Sequence, residues 1–448
     1  MIGSARIYVA GTFAGILSKS ADDFIFTYDP SYPRDGRPVS LRLLPALSEH
    51  VNKGRLHAFF EGLMYEGWLS RLAARGGNVG NDTGLVGYLI SHCVDSIGDV
   101  EITASEILSP AFTPAFSIKA ETSKSSKSRH DRCLICCESL PRAGHNSNYH
   151  ERCSLDFFGN EIPPYFDLGA DDVERLAVRS IASGIALPGV QPKLPVYLPA
   201  SGAHFILKPQ VQGMRAVPEC EHLWMRLFAS LGVNVARSAL VELQDGNLAY
   251  VTRRFDRQPN GLKLHVEDFA QLLGKSILGN EKFDASIRDI AAAIRLNASI
   301  RLRKNAIERL IDLTVLNFIF GNGDAHLKNH ALIGIPDPAA VGGVVYTLSP
   351  AYDLLPTTFL ESSNSDEAAL AINGKRRLIT MQDLIAESVA CGLDGARVEA
   401  KLKQVQLHSN SVKKMMQNSF VPRGKVDELL KQINGRIKYL NATRASGN

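Results

Sequence analysis

The chain has 448 residues, of which 45% are hydrophobic and 21% charged, values that are typical of globular proteins and exclude a disordered or fibrous chain. Its 50 Lys and Arg residues against 46 Asp and Glu residues give a net charge of only +4, too small to indicate a nucleic-acid-binding protein. The sequence contains no apolar run long enough to span a membrane. Its seven cysteines do not have the number and spacing of a disulfide-rich protein. We therefore expect a cytoplasmic protein with reduced thiols and more than one domain.

The first 118 residues predict a small α+β domain. Ile7 to Val9 and a segment ending near Leu17 are typical of two strands joined by a turn through Gly11. Residues 119–132 form a basic, polar linker with few apolar side chains, which indicates a domain boundary. Beyond it we expect a mixed segment over residues 133–257, which contains paired strands and a helix, and a mostly helical segment over residues 258–448.

Four potential metal ligands follow the linker in two close pairs. Cys133 and Cys136 are separated by two residues, as are His150 and Cys153. Sulfur and imidazole ligands at these spacings suit tetrahedral zinc. The same pattern also fits a short hairpin with buried thiols and surface histidines, and both interpretations stay open at the level of sequence.

Residues 184–208 offer two features that could contact the phosphates of a nucleotide. Gly184 to Lys193 is a glycine-containing turn whose backbone N–H groups could approach phosphate oxygens. Lys208 ends a strand predicted over residues 204–207, and Glu221 begins the next predicted helix. The two side chains could form the strand-lysine and helix-glutamate pair of a kinase N-lobe, although each feature alone is common.

The segment Gly321 to Asn329 has the most specific pattern in the chain. Asp324 and Asn329 are five positions apart, like the base and the metal ligand of a protein-kinase catalytic loop. A largely apolar helix predicted over residues 307–320 would support this loop. Asp353 follows a short apolar run, where a second magnesium ligand would lie. Each acid alone could be a turn former, but the ordered set favours phosphoryl transfer.

Over nearly its whole length, the chain resembles the HipA-type serine/threonine kinases of bacterial toxin–antitoxin systems. The segments that carry the resemblance are Gly189 to Lys193, Arg254 to Arg257, Glu267 to Gln271, Gly321 to Asn329, Ala351 to Thr357 and Ile372 to Lys375. The resemblance implies a two-lobed, protein-kinase-like α+β fold with a small N-terminal α+β docking domain. The cysteine segment is similar to the start of the shorter HipT-like kinases.

This resemblance implies a role for each matching residue. Asp324 would be the catalytic base, and Asn329 and Asp353 would bind Mg²⁺. His326 would brace the catalytic loop. Lys208, held by Glu221, would contact the phosphates of ATP. The remaining nucleotide contacts would come from Gly189, Val190, Gln191, Lys193, Arg253 and Phe255.

The implied activity is Mg-ATP-dependent phosphorylation of a protein serine or threonine. The implied substrate is an aminoacyl-tRNA synthetase, whose modification would halt translation, and residues 1–118 would dock a HipB-like helix-turn-helix antitoxin. DNA would be contacted only through that antitoxin, and no membrane contact is expected. Two alternatives remain, a weakly active or inactive co-repressor that acts with the antitoxin and a kinase of small molecules.

The sequence departs from the family at one position of the phosphate loop. Family members usually have a serine there whose autophosphorylation switches the kinase off, and this chain has Ala186. A methyl group cannot accept phosphate, so we predict that this switch is missing or has moved, for example to Ser183.

Overall fold

The computed structural model describes residues 4–64, 84–93, 96–104, 130–141, 147–173, 175–176, 193–210, 214–279, 281–360 and 366–445. Within these ranges the strands are β1 (Ser4–Val9), β2 (Thr12–Ser20), β3 (Asp23–Tyr28), β4 (Glu49–Asn52), β5 (Val100–Thr103), β6 (Leu194–Leu198), β7 (Ala203–Lys208), β8 (Ser238–Glu242), β9 (Leu248–Arg253), β10 (Val266–Asp268), β11 (Ala331–Pro336) and β12 (Val344–Leu348).

The helices of the same residues are α1 (Ala58–Gly62), α2 (Gly84–His92), α3 (Glu151–Phe158), α4 (Val217–Ser230), α5 (Phe269–Leu273), α6 (Ile287–Asn297), α7 (Ile300–Ile319), α8 (Thr357–Leu360), α9 (Met381–Ala390), α10 (Ala396–Leu407), α11 (Ser409–Gln417) and α12 (Arg423–Ala445). Among the residues described, no helix combines the length and apolar character that crossing a bilayer requires.

Residues 4–104 contain a five-stranded antiparallel sheet in the order β4-β3-β2-β1-β5. The predicted hairpin is confirmed: β1 pairs with β2, Gly11 has a positive φ of 78° in the turn, and β2 extends beyond Leu17. The inward-facing side chains pack with those of α1 and α2 into one core, where Phe26 and Phe60 are buried. The N-terminal part therefore has a hydrophobic core of its own.

The middle of the chain forms a four-stranded antiparallel sheet in the order β6-β7-β9-β8. The paired strands expected in this segment are confirmed, the strand predicted over residues 204–207 is β7, and α4 begins at Val217, before the predicted start at Glu221. Pro218 lies in the first turn of α4. Backbone N–H groups there have no partner within the helix, so the missing N–H of proline costs no hydrogen bond. The indole Nε1–H of Trp224 donates to the carbonyl of Phe320 at 2.9 Å, which joins α4 to the end of α7.

A short cysteine-containing segment precedes this sheet. Residues 131–132 of the predicted linker belong to it, because the Leu140 N–H donates to the Asp131 carbonyl at 2.9 Å and Arg132 forms a β-bridge with Ser139. The predicted linker residues 119–129 lie outside the described ranges.

The C-terminal part is mostly helical, as predicted, and contains the largest hydrophobic core of the described residues. The helix predicted over residues 307–320 is confirmed as the second half of α7, with buried residues along most of that stretch. The three-stranded sheet β10-β11-β12, which lies beside this helical core, was not predicted from the sequence. β10 has only three residues and precedes β11 by about sixty positions, so no local pattern joins it to β11 and β12, which follow each other closely in the chain.

Buried charges connect the N-terminal part to the remainder of the chain. The Asp256 carboxylate accepts hydrogen bonds from Arg254 at 2.7 Å, from Arg257 at 2.8 Å and from the Gly98 backbone N–H at 2.9 Å. Both arginines also donate to the Ser96 carbonyl, at 3.0 and 2.7 Å. The segment over residues 96–98 is therefore held by side chains from the end of the middle sheet.

Candidate active site

A cavity of about 280 Å³ lies where the three parts of the chain meet. The N-terminal part contributes Gly62, Leu63 and Ile97 to its walls. Side chains from the other two parts complete the lining, including Lys193, Lys208, Glu221, Arg253, Phe255, Asp268, Asn322, Asp324, His326, Lys328, Asn329, Tyr352 and Asp353. The predicted site residues Lys208, Glu221, Asp324, Asn329 and Asp353 therefore all line one cavity.

Lys208 joins two carboxylates at the centre of the cavity. It is the last residue of β7, and its Nζ donates to Glu221 Oε1 on α4 at 2.7 Å and also to Asp353 Oδ1. Lys208 and Glu221 are buried, with 5% and 1% of their surfaces exposed. Asp353 has a positive φ of 55°, a conformation that an L-residue seldom adopts and that often marks functional sites.

The charges of these groups depend on one another. Burial opposes the Lys208 ammonium, but Asp353 and Glu221 outweigh burial and raise the pKa of Lys208. Burial raises the pKa of Glu221 to about 7, although Lys208 acts in the opposite direction. Burial also opposes the Asp353 carboxylate, yet Lys208 and Lys193 lower its pKa below the usual range. Asp353 is therefore the ionised partner of Lys208 at neutral pH.

The loop after α7 forms a tight turn that two glycines permit. Gly321 has a positive φ of 71°, and a Cβ atom there would lie 2.6 Å from the Phe359 ring. The Gly323 N–H donates to Thr357 Oγ1 at 2.9 Å, and Thr358 Oγ1 donates to the Gly321 carbonyl at 3.0 Å. The start of α8 therefore fixes the backbone immediately before Asp324.

The predicted catalytic residues lie on this loop. Asp324 is exposed to the cavity, and the side-chain amide of Asn329 donates to the backbone carbonyl of Asp324 at 2.9 Å. His326 is buried and its ring packs against Phe283 with 5.3 Å between ring centroids. The bracing role of His326 stays a prediction.

The end of β9 forms another wall of the cavity. Arg253 and Phe255 both line it, as predicted, and the Phe255 ring lies 5.8 Å from that of Tyr352 between centroids. Arg254, between them, turns away into the buried charge network with Asp256. Adjacent residues of this segment thus serve the cavity and the interface between the parts.

Three polar residues of the cavity, Asp268, Lys328 and Tyr352, had no role predicted from the sequence. Lys328 Nζ donates to Asp268 Oδ2 and to the Gly62 carbonyl, both at 3.1 Å, and the Tyr352 hydroxyl donates to the Lys328 carbonyl at 2.8 Å. All three lie within segments that carry the family resemblance, and that position was the available signal.

Part of the predicted phosphate loop lies outside the described residues. Gly189, Val190 and Gln191 belong to this part, as does Ala186, and their predicted roles stay predictions. Lys193 is described, lines the cavity and acts electrostatically on Glu221 and Asp353.

The second candidate site is the cysteine segment. The structure brings Cys133, Cys136, His150 and Cys153 together, with one ligand atom of each within 4.8 Å of the others. This cluster is separate from the cavity.

A strand lysine that pairs with a helix glutamate, above a loop with an aspartate and an asparagine, is the arrangement typical of kinase-like proteins. Comparison with known proteins agrees. Residues 185–413 match the family model described as the HipA-like C-terminal domain, and residues 5–103 match that of the HipA N-terminal domain. The chain therefore belongs to the HipA family.

Named relatives share moderate identity with this chain. A Sinorhizobium fredii protein named "Putative kinase Y4dM" is 32% identical over 249 residues, which cover 50% of this chain and 56% of the relative. The serine/threonine-protein kinase toxin HipA of Shewanella oneidensis is 26% identical over 237 residues, which cover 47% of this chain and 51% of the relative. The chain thus spans about half the length of these curated relatives.

The fold matches a solved structure along almost the whole chain. That structure is the complex of HipA, HipB and operator DNA from the Shewanella oneidensis MR-1 toxin–antitoxin system. One chain of it superposes with a TM-score of 0.67 at 19% identity and covers 98% of this chain and 99% of itself. The mixed helix-and-sheet HipA fold is therefore confirmed for this chain.

Proposed function

We propose that this chain is a Mg-ATP-dependent serine/threonine protein kinase and the toxin of a bacterial toxin–antitoxin system. The observation that carries the proposal is the joint placement of the Lys208–Glu221–Asp353 cluster and of Asp324 and Asn329 around one cavity. A cluster of ion pairs with a purely structural role would not need an exposed aspartate on a glycine-containing loop beside it. Phosphoryl transfer uses both the charged cluster and the aspartate.

The residues of the cavity fit a magnesium nucleotide. Mg²⁺ prefers oxygen ligands, and the Asp353 carboxylate and the Asn329 amide oxygen supply them. Bound Mg²⁺ would neutralise charge on the phosphates during transfer. Lys208 would direct its ammonium group to the phosphates while Glu221 holds its side chain, and Lys193 would add positive charge at the same end of the cavity. Arg253 and Phe255 would contact the nucleoside.

Asp324 would accept the proton of the attacking hydroxyl. Its side chain faces the cavity and its backbone carbonyl is fixed by the Asn329 amide, so the carboxylate is held in a defined place. Lys328, with its ammonium group held by Asp268 and Gly62, would keep the loop in this shape. The chain would thus act by positioning and electrostatics, which dominate phosphoryl transfer.

We further propose a HipB-like antitoxin as partner and an aminoacyl-tRNA synthetase as substrate, which would place the reaction in the cytoplasm. The matched Shewanella protein was solved with HipB and operator DNA, which supports a partner of this class. The N-terminal part, which matches the HipA N-terminal domain, would provide the docking surface. The synthetase follows from the family resemblance alone.

Phosphotransfer by the purified chain tests the proposal. With Mg²⁺ and γ-labelled ATP in a bacterial lysate, we expect one or a few labelled proteins, which mass spectrometry would identify. Asp324→Asn should lower the rate by about 100-fold or more, because a general base is lost. Asp353→Asn should also weaken Mg-ATP binding. The matched control is Asp427→Asn, at an exposed aspartate of α12.

Two outcomes would contradict the kinase proposal. One is unchanged labelling by Asp324→Asn. The other is a wild-type chain that binds an antitoxin but transfers no phosphate to any protein, which would favour the co-repressor alternative.

A further inference from the structure

The proposed kinase reaction uses none of the residues in the cysteine segment, so the segment needs its own explanation. Cys133 and Cys136 flank a tight turn in which the Cys137 N–H donates to the Cys133 carbonyl at 2.8 Å. Inside the turn, the Ile135 N–H lies 3.5 Å from Cys133 Sγ and is directed at it. Cys137 has a positive φ of 58°, which turns the chain directly after the second sulfur. The turn thereby directs both sulfurs to the same side.

The other two residues lie at the start of α3. His150 is its N-cap residue and Cys153 lies in its first turn. His150 Nδ1 is 3.2 Å from Cys136 Sγ and 3.8 Å from Cys153 Sγ. A helix N-terminus favours negative charge, and a thiolate in its first turn gains from this.

These distances approach those between four ligands of one metal ion. Zn–S bonds of about 2.3 Å and Zn–N bonds of about 2.0 Å place tetrahedral ligand atoms about 3.5–3.8 Å apart. Here all four ligand atoms lie within 4.8 Å of one another, and all three sulfurs belong to free cysteines. Three sulfurs and one imidazole exclude the oxygen-preferring Mg²⁺ and Ca²⁺ and favour zinc.

The second nitrogen of His150 is already used. Its Nε2 lies 3.1 Å from the Ser139 carbonyl, which can only accept, so Nε2 carries the hydrogen. The lone pair of Nδ1 then points to the sulfurs. A metal-binding histidine usually donates its other N–H to a carbonyl or carboxylate in this manner.

We propose that Cys133, Cys136, His150 and Cys153 bind one structural Zn²⁺ ion. Four protein ligands close the coordination sphere and leave no position for a substrate, so the metal is structural and not catalytic. The ion would join the turn over residues 133–136 to α3.

The proposed site also connects to the helix that carries Glu221. The carbonyl of Ile135, inside the cysteine turn, accepts a hydrogen bond from His222 Nε2 on α4 at 3.0 Å. The adjacent Leu134 carbonyl accepts from the Leu240 N–H of β8 at 2.9 Å. The metal would therefore fix the turn that packs against both α4 and the middle sheet.

Metal analysis of the full-length chain, purified without a polyhistidine tag, tests the proposal. After dialysis, we expect elemental mass spectrometry to find about one zinc ion per chain. A mercurial reagent that blocks the thiols should release this zinc. Cobalt added to the metal-free chain should give thiolate-to-cobalt charge-transfer bands and the intense d–d bands of a tetrahedral complex. Wild-type chain that holds almost no zinc after growth with added zinc, and that gives no such bands, would overturn the proposal.

Variants identify the ligands. Cys136→Ala and Cys153→Ala should each lose most of the zinc and shift the cobalt bands, whereas Cys137→Ala, in the same turn but outside the cluster, should keep both. Zinc retained by Cys136→Ala and lost by Cys137→Ala would contradict the ligand assignment. If a ligand variant fails to fold, the metal content and cobalt spectrum of the wild-type chain still decide. These measurements do not depend on kinase activity.

Discussion

Lys208 is the residue on which the cavity depends most. Its ammonium group is buried between the carboxylates of Glu221 and Asp353, which come from a helix and a loop far apart in the chain. A buried charge of this kind is stable only while its partners remain. The sequence indicated the three residues by their types and their order in the chain. The structure shows that the one ammonium group of Lys208 pairs with both carboxylates.

Replacement of Lys208 by Met should weaken ATP binding by at least about tenfold, because hydrogen bonds to charged groups contribute about 1.5–3 kcal/mol. The thermal stability of the variant should also fall, since Asp353 and Glu221 then face each other without the Lys208 ammonium group between them. Isothermal titration with Mg-ATP and a thermal melt measure the two effects. Lys403→Met, at an exposed lysine of α10, is the matched control and should change neither. Unchanged ATP affinity in Lys208→Met would contradict the nucleotide assignment.

At the scale of elements, the proposed catalytic loop is held from two sides. α7 leads into it as a buried helix, and α8 supplies Thr357 and Thr358, which bond the Gly321 to Gly323 backbone. The apolar pattern of α7 and the spacing of Asp324 and Asn329 were evident from the sequence. The contribution of Thr357 was not, because a hydroxyl group in the sequence gives no sign of a partner more than thirty positions away.

Thr357→Val should loosen the catalytic loop with little change in volume. The part-buried Gly323 N–H would lose its acceptor, at a cost of about 1–3 kcal/mol in the free energy of unfolding. Because Asp324 follows directly, we expect kcat to fall about tenfold or more. The KM for ATP should change less, since Lys208 and Asp353 are untouched. Steady-state kinetics and a denaturant titration, with the exposed Thr12→Val as control, measure these effects. A wild-type kcat in Thr357→Val would contradict this positioning role.

At the scale of the molecule, the N-terminal part is more than an attached domain. It lines the cavity through Gly62, Leu63 and Ile97, and Gly62 accepts a hydrogen bond from Lys328 of the proposed catalytic loop. Composition and the polar stretch after residue 118 predicted a separate unit. They could not predict the interface between this part and the remainder of the chain. Its charged residues come from unrelated segments, and in the sequence they resemble ordinary surface charges.

One buried interface group should make stability depend on pH. Burial opposes protonation of His265, but Asp99, 2.9 Å from its Nδ1, and Glu267 raise its pKa from 6.5 to about 9. A raised histidine pKa means that the folded state binds the proton more tightly. Its contribution, of the order of 3 kcal/mol, is therefore complete below about pH 6.5 and is lost as the pH rises through about 9.

The free energy of unfolding, measured by denaturant titration between about pH 6 and pH 10, should therefore decline with a steeper slope in the wild type than in His265→Gln. Glutamine keeps a donor but does not titrate. Subtraction of the two curves removes the contribution of the other ionisable groups. Equal slopes for both proteins would show that His265 is not charged in the folded state.

The interface also predicts how the chain should behave when it is divided. Glu267 is fully buried, and its carboxylate accepts hydrogen bonds from Ser40 Oγ at 2.6 Å and from the Leu41 N–H at 2.9 Å. A chain of residues 119–448 alone would lose these donors and expose apolar surface, although it retains every proposed nucleotide contact. We expect it to be less stable than the full chain, with a lower melting temperature, and to bind Mg-ATP more weakly.

Co-expression of residues 1–118 with residues 119–448 should restore both properties, because each part has its own core and the joining bonds do not need a covalent link. Co-purification of the two pieces, a melt and a Mg-ATP titration measure this. Ser40→Ala in the 1–118 piece is the internal test, since it removes one donor to Glu267 and should weaken the association. Pieces that do not associate, or a 119–448 chain as stable and as tight for ATP as the whole protein, would show that the interface contributes little.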